Sequence, residues 1–344
     1  MMEEIKEEER EQAKEKDLPS FDDIDLSLLH PRERARLERS FEAQHMSHDQ
    51  KERLSRITEV RFDEAMREYT GFGVGGAVEA LVTVKHVKGL KAVMEFAHDS
   101  GVSYLFLGKG RNLLVRDGGM LGMVIRFGGE FCRCEMMRTS DEQAKVSVHA
   151  GVELKEFARF AEAFHLSGYE RFVNLPGTVA GALQSGHSLR HLSLEHKVEE
   201  ITVLNAQQKE ITLQGKSLRF EGGKLKLPRT TPILRVLLKI AIQKSDEHHE
   251  ERKLYPEGDV FSIAPFADPE KVEARQLIAD AGLQGVRVGS ARVSTLHPDF
   301  ILNEGDATAR DLLVLVGLVK DRVKQSSGVA LEQKMIVVGN DKQR

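Results

Sequence analysis

The sequence has no tryptophan, only two cysteines among its 344 residues, and 6% aromatic residues. Cys132 and Cys134 are one residue apart, so a secreted fold held by several disulfides is excluded and a reducing cytoplasm is the expected compartment. No apolar run reaches the roughly 20 residues that a membrane helix needs. The best candidate, Thr231–Ile242, is interrupted by Arg235 and Lys239. The acidic N-terminus is unlike a secretory signal.

The charge is distributed unevenly along the chain. The net charge is −4, which gives no general footprint for binding nucleic acid. Residues 1–60 hold 17 acidic and 11 basic side chains, so the acidic excess belongs to the N-terminal segment. This segment has few large apolar residues, and its first part is expected to be a charged helix or disordered. A short surface helix is predicted after Pro31. The segment is either a solvated appendage or a docking segment for a protein partner.

From about Ile57 onward, strand and helix patterns alternate. The apolar runs at 79–84, 104–108 and 121–127 predict strands, and the first two are separated by an amphipathic helix that ends at a glycine. The pattern predicts an α/β or α+β fold. The expected organisation is an extension over 1–56, two lobes over 57–127 and 128–245, and a C-terminal α/β lobe over 255–340. Helices are predicted over 154–168, 268–282 and 308–328.

Three glycine-rich segments are candidates for binding a ligand. They are TGFGVGG at 70–76, GKGRNLLVRDGG at 108–119, and LPGTVAGAL at 175–183. Consecutive backbone N–H groups in such loops can accept phosphate oxygens, and glycine allows close approach of a ligand. The second segment lacks the G-x-G-x-x-G spacing and no helix is predicted after it, so it is not a dinucleotide-binding turn of the Rossmann type. The loops suggest a large phosphate-bearing ligand, although ordinary turns would give the same pattern.

Together these segments resemble the UDP-N-acetylenolpyruvoylglucosamine reductase family, also called UDP-N-acetylmuramate dehydrogenase or MurB. The resemblance runs from about Tyr69 to Gly339 and continues in order through the motifs at 149–168, 282–313 and 328–339. It implies a cytoplasmic enzyme with a two-lobed FAD-binding module and a C-terminal substrate lobe. Such an enzyme uses NADPH to reduce FAD and then transfers hydride to the enolpyruvyl group of a UDP-sugar, which yields a peptidoglycan precursor.

The resemblance also assigns roles to residues that match the family's motifs. The residues implied to wrap the FAD pyrophosphate are Gly108, Lys109, Gly110, Asn112 and Leu113, with Val74, Gly75 and Gly76 nearby. The residues implied to approach the flavin and its phosphates are Pro176, Gly177, Thr178, Val179 and Gly181, with Gly151 in a further cofactor loop. His297 matches a polar position near the substrate.

The chain departs from the family at its catalytic positions. Asp259 stands where the family has a proton-donating serine, and an ionised aspartate has no proton to give unless burial raises its pKa. Lys334 stands where the family has a glutamate that assists protonation. Gly222 and Gly223 stand where an arginine polarises the substrate carboxylate. Arg111 replaces a serine of the cofactor loop, and it either adds a cation to the pyrophosphate or fills the phosphate nest.

Several interpretations stay open at this point. Asp259 and Lys334 have opposite charges and could pair across the substrate site, or both could be solvated. The chain is an FAD-dependent reductase of the family type, a degenerate homologue that binds FAD or a nucleotide-sugar without turnover, or a flavin oxidoreductase with another substrate. His187, His191 and His196 have no supporting carboxylate or cysteine spacing, so no metal site is predicted.

Overall fold

The computed structural model describes residues 45–341, except 170–171, 174, 186–193, 222, 243–260 and 270–271. Helix α1 (His48–Ile57) begins at Ser47, whose side chain accepts from the Gln50 amide while the Gln50 side chain accepts from the Ser47 amide. This reciprocal capping box satisfies donors that a helix N-terminus otherwise leaves without partners. The predictions for residues 1–44, including the helix after Pro31, lie outside the described residues.

The first sheet has four strands in the order β1-β2-β5-β3. They are β1 (Glu59–Ala65), β2 (Ala77–Val84), β3 (Tyr104–Leu107) and β5 (Met120–Phe127). Strands β2, β5 and β3 are parallel, and β1 is antiparallel to β2. Helix α2 (Val87–Ser100) connects β2 to β3 and ends at Gly101, which has a positive φ of 66°. This unit matches the strand, helix and strand predicted from the apolar runs.

The second sheet is antiparallel, with five strands in the order β6-β7-β12-β8-β9. They are β6 (Cys134–Arg138), β7 (Gln143–His149), β8 (Val198–Leu204), β9 (Glu210–Gln214) and β12 (Ile233–Ala241), with a small hairpin of β10 (Phe220–Glu221) and β11 (Lys224–Leu225). Helices α3 (Leu154–Ala163) and α4 (Val179–Ser185) pack their apolar residues into the core of this sheet. The predicted helix over 154–168 was too long, because the chain leaves the helical conformation at His165, where φ is +54°.

The third sheet is antiparallel, in the order β13-β16-β15-β14. Its strands are β13 (Phe261–Ile263), β14 (Arg287–Val288), β15 (Ala291–Val293) and β16 (Ile301–Asn303), and its helices are α5 (Ala274–Asp280) and α6 (Ala309–Ser327). The helix predicted over 268–282 is shorter than expected, because the Asp268 carboxylate accepts from the Ala274 amide and the helix starts there.

The core of the C-terminal residues includes side chains from much earlier in the chain. Phe72, Val74 and Leu114 belong to the same buried cluster as the apolar residues of α5 and α6. In addition, β4 (Leu113–Val115) pairs in parallel with β17 (Ile336–Val338). Two of the glycine-rich segments are therefore packed directly against the C-terminal part of the molecule. Within the part of the chain that the structure describes, no helix has the length and apolarity needed to cross a membrane.

Candidate functional site

The loop Gly108–Leu113 lies between β3 and β4 and contacts the loop at 70–76. The Gly71 amide donates to the Gly110 carbonyl at 3.0 Å. Gly110 has a φ of +63°, and a Cβ added there would overlap the Tyr69 carbonyl oxygen. Position 110 therefore needs glycine for both backbone conformation and space. The first two glycine-rich segments form one continuous backbone surface.

Thr178 joins the third glycine-rich segment to the second. A Cβ added at Gly108 would lie 2.7 Å from the Thr178 hydroxyl oxygen, which accepts from the Gly181 amide at 3.1 Å. Gly177 has a φ of +151°, and its carbonyl accepts from the Leu154 amide at 2.9 Å. The turn after Pro176 is thus fixed on the start of α3, and the structure brings all three predicted loops together.

A cation is held at the edge of this surface. The Lys109 ammonium lies 2.8 Å from one carboxylate oxygen of Glu153, and the Lys155 ammonium lies 3.1 Å from the other. Partial burial opposes ionisation of Glu153, but hydrogen bonds from both lysines and their charges outweigh this, so the pKa of the carboxyl is lowered. Lys109 is consequently oriented by α3 as well as by its own loop.

The remaining predicted glycines have packing reasons for their identity. A Cβ at Gly76 would overlap the Asp117 carbonyl oxygen, and Gly75 has a φ of +128° beside Val115. The neighbouring Val74 side chain is buried in the C-terminal core. Gly151 packs elsewhere, with its amide donating to the Phe131 carbonyl at 2.8 Å.

Asn112 connects the loop Gly108–Leu113 to Lys334. Its side-chain amide donates to the Lys334 carbonyl at 3.0 Å, and its own carbonyl accepts from the Ile336 amide at 2.8 Å. The Lys334 amide donates to the Pro265 carbonyl at 2.8 Å. The Asn112 side-chain oxygen is buried and has no hydrogen-bond partner among the described residues. The Lys334 backbone is therefore fixed beside this loop. The Asn112 side-chain oxygen, next to it, is a buried acceptor to which no described residue donates.

Arg111 extends from the loop to the C-terminal sheet. One guanidinium nitrogen donates to the Ser262 carbonyl at 2.6 Å, and another lies 3.5 Å from the Gly71 carbonyl. Ser262 is in the middle of β13 and is buried. These two contacts of Arg111 are therefore with backbone carbonyls, one in the first glycine-rich segment and one in β13.

The other predicted site residues are placed only in part. His297 is half-buried in the turn between β15 and β16, where its ring lies edge-on to Phe300 with centroids 6.1 Å apart. Asp259, Gly222, His187 and His191 lie outside the described residues, so the Asp259–Lys334 pairing stays a prediction. No group of three His, Cys, Asp or Glu side chains arranged to hold a metal occurs among the residues that the structure describes.

Two residues of the site's frame were missed by the sequence analysis. Both Asp117 carboxylate oxygens accept from the first amides of α6, those of Ala309 and Arg310, at 2.9 and 3.1 Å. Asn303 is buried and donates to the Phe72 carbonyl at 2.8 Å. The signal for Asp117 was its place before two glycines, which is typical of a turn. The polar end of the apolar run at 301–303 was the only signal for Asn303.

The arrangement fits a phosphate-bearing cofactor such as FAD. A Cβ at Gly110, Gly108 or Gly76 would collide with protein atoms, so the three loops pack closely on their surroundings, and the Asn112 oxygen that has no partner among the described residues lies in the second loop. Buried polar atoms usually have partners, so this acceptor indicates a donor supplied by a ligand or water. A pyrophosphate offers only acceptors, so this oxygen suits a hydroxyl or N–H group of the cofactor. Lys109, which also contacts Glu153, supplies positive charge to this loop. The residues present therefore fit a cofactor that carries both donors and phosphates.

Comparison with known proteins gives consistent matches. Residues 78–214 match the model of an FAD binding domain, and residues 260–338 match the UDP-N-acetylenolpyruvoylglucosamine reductase C-terminal domain. The reductase of Clostridium tetani is 31% identical over 297 residues, covering 82% of this chain and 93% of the relative. That of Geotalea uraniireducens is 32% identical over 295 residues, covering 82% and 95%.

A solved structure agrees with these matches. The MurB structure from Thermus caldophilus has a TM-score of 0.63 and 29% identity, and the alignment covers 81% of this chain and 98% of that one. The α+β fold is confirmed, with an FAD-binding domain followed by a C-terminal MurB domain, and FAD is the cofactor. From its matched domains, its relatives and its fold, the chain belongs to the UDP-N-acetylenolpyruvoylglucosamine reductase (MurB) family.

Proposed function

We propose that this chain is an FAD-dependent reductase that uses NADPH and acts in the cytoplasm on the enolpyruvyl group of a UDP-sugar, UDP-N-acetylenolpyruvoylglucosamine. The observation that supports this most strongly is the junction of the three glycine loops through the Gly71–Gly110 hydrogen bond and the Gly108–Thr178 contact. A loop network held at this many points keeps the shape that a bound pyrophosphate needs.

The chain's own residues have distinct tasks in this proposal. The backbone of 108–113 and 176–181 holds the phosphates, with Val74, Gly75 and Gly76 behind it, and Lys109 contributes a cation that Glu153 orients. Bound FAD would supply hydride-transfer chemistry between NADPH and the substrate double bond. The product also needs a proton at the neighbouring carbon, which the chain must supply from a side chain or from water. His297 is proposed to contact the substrate.

Lys334 favours a second candidate function. Its backbone is held by the Pro265 carbonyl and by Asn112, so a lysine stands beside the loop Gly108–Leu113 at the position where the family's glutamate is expected. Reversing this charge removes a group that assists protonation, and loss of one stabilising group typically costs about 2.7–4 kcal/mol of transition-state stabilisation. The second candidate is therefore a protein that binds FAD or the nucleotide-sugar with little turnover, with the part of the N-terminal extension before His45 as an arm that contacts a protein partner.

One assay separates the two candidates. NADPH oxidation by the FAD-loaded protein is followed with and without the enolpyruvyl substrate, for the wild type and for Lys334→Glu. Lys88→Glu, in the exposed first turn of α2, makes the same charge change and serves as the control. Substrate-dependent oxidation by the wild type supports the reductase. Oxidation that appears only in Lys334→Glu, with an increase of about tenfold or more, supports the second candidate.

A further inference from the structure

Arg111 joins three segments that are far apart in the sequence. Its guanidinium donates to the Ser262 carbonyl in β13 at 2.6 Å, across 151 residues of chain. Its Cδ atom packs on Gly71, where an added Cβ would lie 3.0 Å from it and 3.1 Å from the Ile263 side chain. The arginine stem and Ile263 therefore enclose the backbone of the first glycine loop, with the cofactor loop on one side and β13 on the other.

The chemistry of these contacts suits a structural connection better than anion binding. Hydrogen bonds from a charged donor are stronger than those between neutral groups, and the Arg111 guanidinium and the Ser262 carbonyl are in close contact. The described part of β13 is Phe261–Ile263, which pairs with β16. The bond from Arg111 adds a contact to the middle residue of this strand from a distant part of the chain, so it contributes to the local stability of β13.

We propose that Arg111 is a positioning residue that holds strand β13 of the C-terminal lobe against the cofactor loop, rather than a ligand of the FAD pyrophosphate. The proposal rests on the proposed function only for its effect on turnover. The interaction that would hold β13 in place is the hydrogen bond from the Arg111 guanidinium to the Ser262 carbonyl. Through this bond, the conformation of the loop Gly108–Leu113 affects how firmly β13 is held in the C-terminal lobe.

The test uses Arg111→Ser, Arg111→Lys and the control Arg116→Ser. Arg116 also contacts the C-terminal residues, through Asp341 at 2.7 Å, but at the surface. For each full-length protein, hydrogen exchange of the peptide containing 261–263 and FAD affinity by flavin fluorescence are measured. Arg111→Ser is expected to exchange this peptide about tenfold faster than wild type. Its FAD dissociation constant should stay within about threefold of wild type, because the pyrophosphate loses no ligand.

Arg111→Lys can still place one donor near the Ser262 carbonyl, so it should restore part of the protection of 261–263. Arg116→Ser should leave this peptide unchanged. Unchanged exchange in Arg111→Ser would overturn the proposal, and so would a loss of FAD affinity of about a hundredfold with β13 still protected, which would make Arg111 a pyrophosphate ligand. If the wild type turns over substrate, Arg111→Ser should raise KM more than it lowers kcat. If it does not, the reductase proposal fails while the exchange result still decides the role of Arg111.

Discussion

Gly110 shows how one position can be decided by space rather than by conformation alone. Gly110 and Gly101 have nearly the same positive φ, 63° and 66°. A side chain at Gly110 would overlap the Tyr69 carbonyl, whereas nothing lies within 4 Å of a Cβ added at Gly101. The sequence alone identified both as glycines in turns, but it could not show which of them faces another loop.

Gly110→Ala should lower the free energy of unfolding by more than about 2 kcal/mol, because it adds a steric clash to the cost of a left-handed conformation. Gly101→Ala should cost only about 1 kcal/mol, since it adds the conformational term alone. Urea unfolding of the two variants measures the difference. Equal losses would mean that the Tyr69 carbonyl moves aside freely.

Glu153 should make the free energy of unfolding depend on pH in the acidic range. Its pKa is lowered in the folded state, so its ionised form stabilises the protein at neutral pH and this contribution is lost as pH falls below 4.5, through the folded pKa. Glu153→Gln should therefore be less stable than wild type at pH 7, by about 0.5–1 kcal/mol because the pair is partly exposed. The two unfolding free energies should converge in acid. A difference that stays constant from pH 7 to 3 would show that the Lys109 and Lys155 contacts are not formed in solution.

At the scale of elements, the N-terminus of α6 is capped both by local residues and by a residue from a distant part of the chain. Thr308 is the N-cap residue, with Asp311 completing a capping box, and both residue types stand at the spacing that favours such a cap. Asp117, however, supplies both carboxylate oxygens to the same helix end from 192 residues earlier in the chain. Local capping follows from residue types at fixed spacing, whereas a capping residue brought by the tertiary fold has no local pattern.

Asp117→Ala should lower the free energy of unfolding by about 1–2 kcal/mol, because two amides at the helix N-terminus lose a charged acceptor. Asp341→Ala is the control, since its ion pair with Arg116 is exposed and should contribute less than about 1 kcal/mol. Thermal and urea unfolding both report the values. An Asp117→Ala variant as stable as Asp341→Ala would indicate that Thr308 alone caps α6.

At the scale of the whole molecule, the C-terminal core depends on the first glycine loop. Phe72 is fully buried in that core, and its carbonyl accepts from Asn303. Alternating strand and helix patterns narrowed the fold to α/β or α+β, and the resemblance implied the α+β fold and its FAD-binding and substrate lobes. The interlocking of 70–76 and 113–115 with the C-terminal residues could not be predicted from periodicity, because it depends on which surfaces meet in three dimensions. The catalytic departures at Asp259 and Lys334 likewise remain predictions from matched motifs.

Phe72→Ala should lower the free energy of unfolding by about 3–5 kcal/mol, because it leaves a cavity in a shared core. It should also increase hydrogen exchange in both the 108–113 loop and α6. Phe164→Ala is the control, since Phe164 is 43% exposed and its loss should cost less than about 1.5 kcal/mol. Increased exchange confined to the 70–76 loop would contradict a shared core.

The central claim is that the three joined glycine loops form a working FAD site despite Arg111 in place of serine. The most direct test is the visible absorption spectrum of the purified protein, recorded before and after addition of FAD and removal of the unbound cofactor. A flavin spectrum near one FAD per chain is predicted, and it should be lost in Gly110→Ala but kept in Gly101→Ala. A colourless protein that takes up no FAD would contradict the claim and remove every flavoenzyme function proposed for the chain.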